Sequence, residues 1–138
     1  MTADPAILYI ILGTDDLDRA NRFYDAVMPI LGMQRLPDAP NGWAGWGLTE
    51  GTSLWLCPPF DGAPASHGNG TMVSFRAASA AQVRAFHRAA LARGGADEGP
   101  PGTRAAYGPS FYVAYVRDPD GHKLAAAHMS YDPKDDLG

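Results

Sequence analysis

Four histidines, one cysteine and three tryptophans are the side chains of this sequence with the widest chemical reach. His67, His87, His122 and His128 could each ligate a divalent ion or carry a proton. No two stand at the i, i+4 spacing that sets a pair of imidazoles on one helix face. His67 lies in a Gly-rich stretch, where it could reach a cleft mouth or a contact with a second copy. His87 reads as a partly exposed helix residue, His122 as solvent-exposed after a turn, and His128 as facing the helix side of its strand. Cys57 is a candidate nucleophile, but no neighbouring His or Lys lowers its pKa, and a cysteine among apolar residues usually serves as a small hydrophobe. The sequence has no phosphate-cradling Gly loop, no Ser-His-Asp arrangement and no C-x-x-C. That leaves Trp43, Trp46 and Trp55, which could stack on a flat ligand or fill a core.

These residues need elements to hold them. The continuous apolar run 7–12 marks a buried strand, ended by Gly13-Thr14. Asp15 or Asp16 then offers a helix N-cap. Leu17, Ala20, Phe23 with Tyr24, Val27, Ile30 and Leu31 form an amphipathic stripe, Pro29 tightens its last turn, and Gly32 closes it. Short strands follow around 33–36, 43–48 and 52–57, separated by turns at 37–42 and 49–51. Residues 58–70, PPFDGAPASHGNG, form the best linker in the chain. A strand at 71–76 comes next. Ser79 with Gln82 gives an S-x-x-Q capping box, and Val83, Phe86, Ala90 and Leu91 give a second stripe closed by Gly94-Gly95. Residues 99–107 read as a loop with at most a short strand. Residues 111–128 form a hairpin turning at Asp118-Pro119-Asp120-Gly121. The polar tail, 130–138, reads as frayed.

A chain of 138 residues is one domain by length, and 46% hydrophobic with 19% charged residues is the balance of an ordinary globular protein. Eleven Lys+Arg against fifteen Asp+Glu give a net charge of −4 with no basic cluster, which argues against a nucleic-acid partner. No stretch approaches the ~20 apolar residues of a membrane-spanning helix, and the N-terminus lacks the basic region of a signal peptide. The single cysteine permits no intrachain disulfide. The expectation is a soluble cytoplasmic protein.

Shifted by 63 residues, the two halves of the chain coincide. Tyr9 falls on Met72, Asp16 on Ser79, Phe23 on Phe86, Ala26 on Ala89, Met28 on Leu91 and Gly32 on Gly95. Each half reads β-α-β-β-β, module one spanning about 7–57 and module two about 71–129. The fold class is therefore α+β: two tandem βαβββ modules forming a cup-shaped mixed sheet with the helices outside. Strand alternation sets Ser53, Trp55 and Cys57 on the face opposite Leu54 and Leu56. Arg76 shares the face of Met72 and Ser74. On 111–115, alternation places one aromatic of the strand in the cleft without saying which.

Leu12-Gly13-Thr14-Asp15-Asp16-Leu17 leading into Arg22-Phe23-Tyr24, Gly68-Asn69-Gly70-Thr71 leading into Ser74-Phe75-Arg76-Ala77, Ala85-Phe86-His87, Gly94-Gly95 and Asp118-Pro119-Asp120-Gly121 occur in an order that resembles the vicinal oxygen chelate superfamily. That superfamily includes glyoxalase I, bleomycin-resistance proteins and extradiol dioxygenases. The resemblance covers roughly residues 7–129. It implies a cleft between modules, dimerisation, and one divalent metal held by His, Glu or Gln from the first and last strands of each half. The positions that correspond here are Tyr9, Met72 and Ala125, with Trp55 the fourth by strand matching. None is a carboxylate or an imidazole, the donors a hard divalent ion takes.

The expected function is binding of a small apolar or aromatic molecule in the cleft between modules, without the usual metal. The ligand-binding set is Tyr9, Ile11, Trp55, Cys57, Met72, Ser74, Arg76, Tyr107, Tyr112 and Ala125, with Arg104 also near the mouth. No catalytic residue is assigned, no cofactor is expected, and the partners expected are the ligand and a second copy in a homodimer. One alternative is a superfamily enzyme of lyase or dioxygenase type that works without metal, or recruits one through unaligned residues such as His67. Another is an interaction protein whose sheets serve dimerisation.

Overall fold

The computed structural model describes residues 4–48 and 51–136. It contains eight strands and two α-helices: β1 (Tyr9–Gly13), α1 (Leu17–Val27), β2 (Gln34–Arg35), β3 (Ala44–Gly47), β4 (Ser53–Cys57), β5 (Met72–Arg76), α2 (Ala80–Ala92), β6 (Ala96–Arg104), β7 (Gly108–Arg117) and β8 (Lys123–His128). The repeat is visible in these bounds, since an offset of 63 carries Tyr9–Gly13 onto Met72–Arg76 without a gap. Thr49 and Glu50, part of an expected turn, and the last two residues of the tail lie outside the described residues.

The strands form two four-stranded mixed sheets, ordered β1-β4-β3-β2 and β5-β8-β7-β6. β1 runs parallel to β4 and β5 parallel to β8, and the other pairings are antiparallel. β1 and β5 are each the edge of their own sheet.

The helices start where the sequence supplies acceptors for their first amides. Asp16 Oδ1 accepts from the Arg19 N–H at 3.0 Å, and Ser79 Oγ accepts from the Gln82 N–H at 3.1 Å. Gln82 completes its box one residue early, with Oε1 accepting from the Ala78 N–H at 2.8 Å. At Pro29 the first helix tightens into a 3-10 turn, Met28–Leu31, and Gly32 ends it at φ +80°.

The inner faces of both sheets and the apolar stripes of both helices share one core. Phe23, Tyr24, Val27, Trp46, Leu54, Leu56, Val83, Phe86, Val116 and Leu124 are all fully buried in it. Removing that much apolar surface from water is the main force holding the modules together. Leu91, expected on the second stripe, points outward instead.

The hairpin turn at 118–121 is more than a reversal. Gly121 adopts φ +92° and the Asp118 carbonyl accepts its N–H at 2.9 Å. The buried Asp118 side chain takes the N–H groups of Asp120 and His122 on Oδ1, both at 2.9 Å. On Oδ2 it takes the Tyr24 hydroxyl, 2.6 Å away on α1 of the other module. Arg19 of α1 pairs with Asp120 at 2.8 Å, and the His122 ring donates through Nε2 to the Gly13 carbonyl at 2.7 Å. His122 is thus only 5% exposed, contrary to the solvent-exposed placement expected from the sequence. It is drawn in because the end of β1 presents a carbonyl that needs a donor.

Two further expectations are corrected. Residues 96–104 form a nine-residue edge strand rather than a loop. Its register against β7 shifts at Asp97/Gly99, Gly99/Gly102 and Thr103/Arg104. Pro100 and Pro101 are tolerated because an edge strand with bulges does not need every amide as a donor. The tail is anchored as far as Asp136. The Tyr131 ring stacks 4.6 Å from that of Tyr112, its N–H reaches the Ser110 carbonyl at 2.9 Å, and Arg84 makes a bidentate pair with Asp136 at 2.8 and 2.9 Å.

Candidate functional site

Each sheet buries one face against the helices and leaves the other open. Alternation along β1 and β4 puts Tyr9, Ile11, Ser53, Trp55 and Cys57 on the open face of the first sheet, because Leu12, Leu54 and Leu56 occupy the core. On the second sheet, Phe75, Tyr112, Ala114, Val116, Leu124 and Ala126 go to the core. Met72, Ser74 and Arg76 of β5, Phe111, Val113 and Tyr115 of β7, and Ala125 and Ala127 of β8 take the other side.

Tyr112 is therefore not on the open face. Its ring packs in the core against Tyr131, and its hydroxyl accepts from Arg84 at 3.2 Å. The aromatics of that strand on the open side are Phe111 and Tyr115. Ala125 has the right orientation but only 1% of its surface is exposed. It is roofed within a small apolar cluster with Val113 and Ala127, against which Phe111 and Tyr115 pack.

The centre of the first open face is Trp55. Its indole lies across Gly45, the residue paired with it on β3, so closely that a Cβ on Gly45 would fall 2.5 Å from the ring. The indole N–H donates to Ser53 Oγ at 2.9 Å, which fixes the ring's orientation. Trp55 with Tyr9, Ile11, Trp43, Ser53, Ala39 and Asn41 lines a recess of about 410 Å³. A second recess of about 390 Å³ shares Ile11 and Trp43 with it and adds Gly13, Cys57 and the loop residues Pro59 to Asp61. Phe60 in that loop is wholly exposed, at 104%. Cys57 is buried and its burial pushes the thiol pKa up, which keeps it protonated and a poor nucleophile.

The second open face has its own recess of about 450 Å³, lined by Met72, Glu98, Arg104, Tyr107, Tyr115 and Lys123 among others. Of the residues expected from the sequence, Tyr9, Ile11 and Trp55 come together on one sheet, and Met72 and Tyr107 on the other. Ser74 and Arg76 instead border a groove of about 470 Å³ at the edge of β5, together with Ile10, Ser53 and Leu54 of the first sheet. Sequence reasoning missed Phe60 and Lys123, and left open which aromatic of 111–115 meets the open face. Tyr115 could have been found by pairing the hairpin outward from its turn, which sets it opposite Ala125.

The four positions at which the resemblance implies metal ligands carry a phenol, an indole, a thioether and a methyl group. None but the phenol offers oxygen, so the set does not fit a hard divalent ion. Among the described residues, no group of three or more His, Cys, Asp or Glu side chains could hold a metal. The histidines are engaged separately. His87 contacts Asp97 at 2.8 Å, His122 the Gly13 carbonyl and His128 the Ala77 carbonyl at 3.2 Å, while the His67 ring lies against Gly121.

Comparison with known proteins places this geometry. A glyoxalase/bleomycin resistance protein from Albidiferax ferrireducens T118 is 36% identical and superposes with a TM-score of 0.79, over 90% of this chain and 98% of that one. A lactoylglutathione lyase from Agrobacterium tumefaciens is 25% identical, with a TM-score of 0.59 over 89% and 92% of the two chains. The V278E mutant of glyoxalase I from Zea mays is also 25% identical, with a TM-score of 0.68 over 88% of this chain and 45% of that one. No curated protein matches the chain. A family model matches residues 6–126, nearly the whole described length, and by it the chain belongs to the glyoxalase/bleomycin resistance protein/dioxygenase superfamily.

Proposed function

We propose that this protein binds a small apolar or aromatic molecule on the open faces of its sheets, and that it does so without the divalent metal that the family resemblance implies. The observation that carries this reading is the Trp55 platform. An indole held flat on a glycine and pinned by its own N–H exposes a rigid π face, flanked by Tyr9 and Trp43, at little entropic cost to a ligand that stacks on it. The phenol, indole, thioether and methyl at the four family positions support the metal-free part.

The apolar strand edges support a second copy as partner. Tyr9 is 54% exposed and Met72 45%, and both lie on strands that have one neighbour only. A homodimer would cover them together with Leu8, which lies just before β1 and is 70% exposed, and Leu8→Asp should then shift sedimentation toward monomer; a wild type that sediments as a monomer at micromolar concentration refutes this part. No helix among the described residues is long and apolar enough to cross a membrane. The cytoplasm is the proposed location, in keeping with a single, unpaired cysteine.

The test is calorimetric titration with naphthalene-2-carboxamide, an uncharged flat probe, alongside elemental analysis. Wild type should bind, and Tyr9→Ala or Trp55→Ala should weaken binding by about tenfold, the loss typical of one aromatic contact. Equal affinity in all three proteins overturns the assignment of the site. Stoichiometric zinc, nickel, iron or manganese that is lost on mutating an open-face residue overturns the metal-free reading.

A further inference from the structure

The two open faces differ in charge. The recess of the first sheet is lined by aromatic, aliphatic and uncharged polar groups. That of the second carries two cations on one ring. The Arg104 guanidinium lies 5.7 Å from the centroid of Tyr115, and Lys123 Nζ lies 5.4 Å from the same centroid. Neither has a carboxylate within ion-pair distance among the described residues. Arg104 donates to the backbone carbonyls of Pro100 at 2.6 Å and Thr103 at 3.3 Å, which hold it in place without neutralising it. The nearby carboxylates have other direct partners. Glu98, which lines the same recess, pairs with Arg117 Nε at 3.0 Å, and Asp97 contacts His87 at 2.8 Å. In a chain of net charge −4, two cations gathered around one ring and without a direct ion pair, Arg104 feeling Asp97 only at longer range, form a local positive centre. An anion entering the recess that both line would be drawn by both charges, while Met72 and Tyr107 cover an apolar portion.

We infer that the recess over Tyr115 is an anion subsite, in which Arg104 and Lys123 hold the carboxylate or phosphate of an aromatic organic anion. This rests on the ligand-binding reading above and sharpens it, because the preferred ligand is then amphipathic rather than merely apolar.

The experiment titrates the full-length protein with three probes of one ring system: naphthalene-2-carboxylate, 2-naphthyl phosphate and naphthalene-2-carboxamide. Heat of binding is followed at low and high salt, in wild type and in Arg104→Gln, Lys123→Gln and the double variant. The side chains are partly exposed, and circular dichroism with thermal melts checks that each variant is folded. At least one anion should bind about tenfold or more tightly than the amide, a gap set by one or two charge-assisted contacts. That preference should shrink at high salt and vanish in the double variant, while amide affinity stays unchanged. Which anion wins separates a carboxylate from a phosphate ligand. Equal binding of anions and amide, or a preference that survives the double substitution, overturns the subsite and leaves the aromatic site standing. Absence of binding by all three probes overturns both.

Discussion

Replacing Tyr24 by Phe removes one oxygen from the contact that clasps the two modules, and its cost can be worked out. The hydroxyl is fully buried and donates to Asp118 Oδ2 at 2.6 Å. A hydrogen bond to a charged acceptor contributes about 1.5–3 kcal/mol, and its loss leaves a buried carboxylate with one donor fewer. A deficit of about 2 kcal/mol at neutral pH follows, or a fall in Tm of about 7 °C for a chain of this length at the usual unfolding entropy per residue. The deficit should also depend on pH. Burial raises the Asp118 pKa above the usual carboxylate value, and the Tyr24 hydroxyl is the leading influence that opposes the rise. An acid whose pKa is higher folded than unfolded loses stability as pH climbs from the unfolded value through the folded one, and regains it on acidification. Without the phenol that pKa climbs further. The deficit of Tyr24→Phe should therefore be largest at neutral pH and shrink as pH falls through the raised Asp118 pKa. Urea denaturation of wild type and variant at a series of pH values measures it directly. A deficit below ~0.5 kcal/mol at pH 7, or one of constant size across the series, would refute the view that Tyr24 stabilises an ionised Asp118.

Other outcomes follow from the same structure. Gly45→Ala forces a Cβ to within 2.5 Å of the Trp55 ring, so the indole must leave its platform. The expected cost is about 1–3 kcal/mol, with a change in tryptophan emission and weaker binding of aromatic probes; unchanged emission would show that the ring does not rest there. Cys57, buried and with its thiol pKa pushed up, should react with iodoacetamide at pH 8 at least about tenfold more slowly in the native protein than in guanidinium, and comparable rates would show an accessible thiolate.

Much of the fold was legible because its signals are local. Asp16 and Ser79 cap helices where an acceptor precedes an apolar stripe, and the 63-residue offset follows from duplicated caps, stripes and closing glycines. The inward positions of Leu54 and Leu56, and hence the outward position of Trp55, followed from alternation once they were matched to Leu124 and Ala126 of the second half. What the sequence did not disclose depends on pairing across distance. Alternation on β7 gives two consistent sets, and only the ladder with β8 tells which of Tyr112 and Tyr115 meets the core. The nine-residue β6 was hidden by Pro100-Pro101, which forbid a central strand but not an irregular edge. His122 and Asp118 read as turn residues because their partners, Gly13 and Tyr24, lie 109 and 94 residues away. The tail looked frayed because its polar composition says nothing of Arg84, which waits on α2 for Asp136.

The clasp around Asp118 also breaks the symmetry that the repeat suggests. The residue that matches Tyr24 at the 63-residue offset is His87, and it contacts Asp97 within its own module instead of reaching across to the first. The halves are thus a lock and a key, not two copies of one part. Two first modules, or two second modules, could not reproduce the join between them. The join is made by non-covalent contacts from both modules, the shared core with the Tyr24–Asp118, Arg19–Asp120 and His122–Gly13 pairs, in addition to the loop at 58–70. The repeat gives both halves one scaffold, and the contact of Tyr24 with Asp118 makes each half depend on the other.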